Sequence, residues 1–139
     1  MNRKIFEQII AKIPHLTADG LMDISDASFQ LKRRDFVRST LPLGQTIASI
    51  EFLSSIGKSG RFSRWQRSNC TPENLQDLID WAVGQKVSVG AIIVASIYLG
   101  FTMGVQDGTK AYFNFLVPQM EFELARFANV QQVRMVVGQ

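Results

Sequence analysis

The chain has 139 residues, 46% of them hydrophobic and 19% charged, with 10 glycines, 4 prolines and a net charge of +3. That composition suffices for one compact core and excludes a collagen-like, low-complexity or disordered chain. A single cysteine excludes a disulfide framework, so nothing points to an oxidising compartment and the expected setting is the cytoplasm.

Residues 2–13 place Ile5, Phe6, Ile9, Ile10 and Ile13 at helical spacing, an amphipathic helix stopped by Pro14. Glu7 and Lys12 interrupt any apolar stretch, so the segment does not read as a signal peptide. The stretch from Leu16 to Asp26 is polar, carries Gly20 and opens as a loop. Ala27, Phe29 and Leu31 alternate with Ser28, Gln30 and Lys32, a period of two that predicts a strand. Arg33 to Leu43 is ambiguous, and Pro42 with Gly44 predicts a turn at its end. A helix is expected from about Gln45, with Ile47, Ile50, Phe52 or Leu53, and Ile56 recurring every three or four residues. Gly57 and Gly60 oppose a continuous helix through 57–67.

Thr71-Pro72-Glu73 then restarts a helix, with threonine as cap and proline at the first helical position. Leu75, Leu78, Ile79 and Ala82 form its expected buried face, and Gly84 closes it. A third apolar segment runs from Val87 to about Phe101. Asp107-Gly108 signals a hairpin or loop. Ala111, Phe113, Phe115 and Val117 alternate with their neighbours, predicting a strand stopped by Pro118. Residues 119–128 read as a helix, with Met120, Leu124 and Phe127 on one side. Val133, Met135 and Val137 alternate as a short terminal strand, which pairs either within the fold or with a second copy in a homo-oligomer. The mixture predicts an α+β fold: one compact domain over residues 1–139, with a mainly helical core, a small sheet and a part resembling a helix-turn-helix.

Two long-range features bear on function class. Val87 to Gln106 is twenty residues without a charge, matching the roughly 20 residues of a spanning helix. Ser88, Gly90, Ser96, Gly100, Thr102, Gly104 and Gln106 dilute it, and amphipathic segments flank it, so it reads as a buried helix rather than a membrane span. The stretch 75–97 has the outline of a helix-turn-helix. Its second helix offers Val89, Gly90, Ile93, Val94 and Ile97 where a groove reader needs side chains that hydrogen-bond base edges. It reads as scaffold.

From Lys32 to Pro72 there are eight basic residues against Asp35 and Glu51, a local +6, while the rest of the chain sums to −3. Within that segment, residues 57–69 carry Lys58, Arg61, Arg64 and Arg67 at every third position, with Phe62 and Trp65 interleaved and no acid. Such cations neutralise phosphates, and aromatic rings beside them stack on unpaired bases. Arg33 and Arg34, with Lys32 and Arg38, extend the patch if they lie beside it. The expected site is therefore Lys58, Arg61, Arg64, Trp65, Arg67, Arg33 and Arg34, and the expected partner is nucleic acid. The same composition also suits an acidic protein, docked by this loop or by an exposed aromatic strand at 112–115 in an inhibitor, adaptor or assembly subunit. A third account makes Phe62 and Trp65 anchors that pin a solvated loop. Gly57-Lys58-Ser59 is not a phosphate-binding loop, since Phe52 stands where that motif needs glycine.

No catalytic constellation is legible. His15 and Cys70 are the only residues of their kinds and have no companion pattern. Asp19, Asp23 and Asp26 lack calcium-loop spacing, and Asp77 and Asp80 share a helical face without an acid–base partner. The sequence predicts a non-enzymatic protein with no metal and no cofactor.

Overall fold

A computed structural model describes residues 1–136. Among them are seven helices and two short antiparallel hairpins, the mainly helical α+β fold that the patterning implies. Helix α1 (Arg3–Ala11) is capped by Asn2, whose side chain accepts from the Ile5 N–H at 2.9 Å, and it buries Phe6 and Ile10. The expected loop after Pro14 holds a tight hairpin, β1 (Leu16–Thr17) with β2 (Gly20–Leu21), turned at Gly20 with φ +102°.

The strand expected at 27–32 is instead the start of helix α2 (Phe29–Arg38). Three alternating residues are too short a signal to fix a period. The competing spacing Phe29, Arg33, Phe36 places both phenylalanines in the core and leaves Leu31 53% exposed. The turn expected at Pro42 and Gly44 is likewise overturned, because α3 (Leu41–Leu53) begins there. Proline in a first turn lacks only an N–H that would have no intrahelical partner. The face of α3 differs too: Ile47 is exposed, while Thr46, Ala48, Ser49 and Leu53 are buried. Both hydroxyls bond within their own helix, Thr46 to the Pro42 carbonyl at 2.7 Å and Ser49 to that of Gln45 at 2.9 Å, which lets small polar residues line a tight interface.

After a loop over 54–63 comes α4 (Arg64–Asn69), then α5 (Pro72–Val83). Thr71 caps α5 and Gly84 ends it in the left-handed region, as the sequence signals require, although Ala82 is exposed rather than buried. Ser88 caps α6 (Val89–Tyr98), which is buried along nearly its whole length. It forms the centre of the fold, with α3, α5 and α1 packed around it. The uncharged run is thus a core helix that breaks at Gly100 (φ +87°) and leads into β3 (Met103–Gln106), a strand the run conceals. No helix among the described residues is long and apolar enough to cross a membrane. Burial of α6 also means that the α5–α6 pair serves packing and cannot enter a groove.

Strand β3 pairs antiparallel with β4 (Lys110–Phe113) across the predicted Asp107-Gly108 turn. Residues Ala111 to Phe115 are all buried, so the exposed aromatic strand considered for protein docking does not exist. Helix α7 (Val117–Val136) replaces both the shorter helix and the terminal strand expected at 133–137. Nothing between Gln119 and Val136 breaks a helix, and Val133 stands 62% exposed on it. The strand-mediated route to a second copy falls with that strand; Val137 lies outside the described residues. Met120 is fully buried, and Phe127 meets Trp81 of α5 with ring centroids 5.7 Å apart.

Candidate nucleic-acid interface

The basic-aromatic segment is half loop and half helix. Its helical part, α4, starts because Ser63 and Gln66 form a capping box: the Ser63 hydroxyl accepts from the Gln66 N–H, and the Gln66 side chain accepts from the Ser63 N–H at 2.7 Å. Gln66 is fully buried, and its amide also donates to the Phe115 carbonyl at 2.9 Å. That buries one side of α4 and turns Arg64, Arg67 and Ser68 outward.

The loop part is fastened along residues 114–116. The Ser59 N–H donates to the Asn114 carbonyl at 2.8 Å, and the Asn114 side-chain amide donates back to the Ser59 carbonyl at 2.8 Å. The oxygen of that amide accepts from the Thr102 N–H at 2.7 Å, so one buried asparagine joins the loop to the residue that leads into β3. The Leu116 N–H donates to the Gly57 carbonyl at 2.8 Å. At the other end, the Gln106 side chain donates to the Arg67 carbonyl at 2.8 Å, and the Phe113 N–H donates to that of Cys70 at 3.1 Å. The backbone of 57–70 is therefore tied at intervals to the core side of the β3–β4 hairpin.

On this platform Lys58, Arg61, Arg64 and Arg67 are all exposed. Among the described residues none of the four is in an ion pair; the ion pairs join Arg3 to Glu7, Lys32 to Asp19 and Arg126 to Glu123. No acid occurs between Glu51 and Glu73. The Lys58 ammonium lies 5.4 Å from the centroid of the Phe101 ring. Both aromatics of the segment are half-buried. Phe62 stands edge-on to Tyr112 with centroids 4.9 Å apart, and half-buried Trp65 packs against the core.

Arg33 is engaged elsewhere, and Arg34 sits on a different helix from the patch. Arg33 does not extend the patch: its guanidinium donates to the carbonyls of Ile10, Ile13 and Leu16, each at 2.9 Å. It closes the C-terminal end of α1, where a cation meets the negative end of the helix dipole, and burial lowers its pKa without discharging it. Arg34 is exposed on α2, a helix that packs on β1, whereas α4 packs on β4.

Asp23, Asp26, Asp80 and Cys70 have structural surroundings. Asp23 and Asp26 bond to Ser25 and Ser28 in local turns, which hold both carboxyls below their ordinary value. Asp80 accepts from the Val87 N–H at 2.8 Å, bridging the α5–α6 connection. Cys70 is fully buried, and burial pushes its thiol up to about 12. No cluster of three metal-ligating side chains occurs among the described residues.

Gln66, Asn114 and Gln106 are the residues that sequence reasoning missed. Ser63-x-x-Gln66 is a capping-box pattern visible in the sequence. Asn114 between Phe113 and Phe115 was a polar residue in an apolar run, a flag without an address. The chain matches no protein-family model, no curated protein and no solved structure.

Proposed function

We propose that this protein is a non-enzymatic, nucleic-acid-associated domain that contacts the phosphate backbone through Lys58, Arg61, Arg64 and Arg67. The observation that carries this reading is the combination of four exposed cations, in no ion pair among the described residues, with a backbone fixed beneath them. Holding the backbone in place lowers the ordering cost of binding, while long side chains remain free to reach phosphate oxygens. Trp65 acts as an anchor in this account rather than as a stacking platform, so unpaired bases gain little over a duplex. A cytoplasmic setting goes with this reading.

The test is fluorescence anisotropy of labelled 20-base-pair and 20-nucleotide probes between 50 and 200 mM salt. Four phosphate contacts on duplex DNA give a log–log slope of about −3.6, an affinity loss of about 150-fold over that range. The double variant Arg61→Glu/Arg64→Glu is expected to abolish binding while melting as the parent does. Absence of binding at 50 mM salt, or an affinity unmoved by the double reversal, overturns the proposal. A partner recovered on the loop after nuclease treatment would instead favour an acidic protein.

A further inference from the structure

We infer that Lys110 is a fifth phosphate-contacting residue, so that the bound backbone crosses from α4 onto the turn of the β3–β4 hairpin. This inference rests on the nucleic-acid reading above. Its warrant is the register of the hairpin. Gln106 and Lys110 are directly opposed across the two strands, and opposed residues of an antiparallel pair project from the same face. The Gln106 side chain identifies that face, because it reaches the Arg67 carbonyl in the last turn of α4. Lys110 therefore leaves the ribbon on the side where α4 ends, next to the residue that carries the last cation of the patch. It is exposed and, among the described residues, in no ion pair. Forty-three positions separate Lys110 from Arg67 in sequence, and only the hairpin register brings them together. The one acid in the sequence of the hairpin, 103–113, is Asp107 in its turn, held at φ +54°.

Five contacts on duplex DNA raise the expected slope to about −4.5, an affinity loss of about 500-fold between 50 and 200 mM salt. Lys110→Ala is expected to return the loss to about 150-fold, and Lys110→Arg to restore the parent slope. Asp107→Asn, which asparagine tolerates because it readily adopts positive φ, is expected to tighten binding at 50 mM salt. Lys86→Ala, on the α5–α6 connection, is the control and should leave the slope unchanged. If the parent protein binds and Lys110→Ala leaves its slope unaltered, the fifth contact is wrong and the four-residue surface stands. If the parent binds no nucleic acid at 50 mM salt, the nucleic-acid reading itself has failed.

Discussion

Replacing Gly90 with alanine tests the closest approach in the core. Gly90 is the second residue of α6, and its N–H donates to the Ala18 carbonyl at 3.0 Å. A Cβ built there falls 2.1 Å from the Thr17 carbonyl oxygen and 3.0 Å from a ring carbon of Phe36. Carbon–oxygen contacts stop near 3.3 Å, so the β1–β2 hairpin must move outward by about 1.2 Å. That movement breaks the Ala18 bond, a loss of about 1 kcal/mol, and overpacks a tight site at a further cost of about 1–3 kcal/mol. Alanine offsets about 0.4–1 kcal/mol by restricting the unfolded chain. The expected net is a destabilisation of about 2–3 kcal/mol, lowering Tm by about 7–10 °C for a chain of this size. Gly44 supplies the opposite case, since it lies in α3 and a Cβ there meets nothing within 4 Å. Gly44→Ala should gain about 0.5–1 kcal/mol. Urea melts followed by circular dichroism, read as midpoints at constant m, give both values. A Gly90→Ala protein as stable as its parent would refute the close approach and with it the seating of the hairpin on α6.

Two further outcomes are expected. Arg33→Met keeps the aliphatic stem but removes the charged donor shared by three carbonyls, of which those of Ile10 and Ile13 keep a backbone N–H, and this should cost about 2 kcal/mol in urea melts and leave the salt slope of nucleic-acid binding unchanged. A lost unit of slope at unchanged stability would return Arg33 to the binding surface. The Cys70 thiol, pushed up to about 12 by burial, should resist alkylation at pH 8 until the protein is denatured. Because the unfolded thiol loses its proton near its ordinary value while the folded thiol keeps it, stability should fall as pH rises above about 9, by up to about 1.4 kcal/mol per unit. The difference in stability between the parent and Cys70→Ala, followed from pH 8 to 10.5, isolates that contribution, and parallel curves would refute it.

How far the fold was legible depends on where the information lay. Thr71-Pro72 to Gly84 is legible because capping chemistry is local: a hydroxyl meets an N–H three residues ahead, and a left-handed terminus calls for glycine. Phe29 and Leu31 mislead because both are apolar and two apart, and only the core decides that Phe36 rather than Leu31 shares the buried face of Phe29. The face of α3 was misread for a different reason. Its buried side is drawn with threonine, serine and alanine, which a search for large apolar residues passes over in favour of exposed Ile47. Strand β3 was hidden inside an uncharged run because absence of charge carries no period.

The candidate site divides along the same line. Its cations were legible at three-residue spacing, since a charge is a property of the residue itself. The direction in which Phe62 and Trp65 face was not, because it depends on Tyr112 and on a core assembled from distant segments. Nor was the fastening: Asn114 meets Ser59 across 55 positions, and Gln106 meets Arg67 across 39. These bonds all engage the backbone of the loop and leave its four cationic side chains unengaged by any acid among the described residues. A fixed backbone under free cationic side chains matches repeated, chemically identical phosphates better than a particular base edge, whose recognition needs donors held in a defined fork. The nucleic-acid reading thus carries its own limit: the contacts described should follow charge and salt, with little preference for sequence.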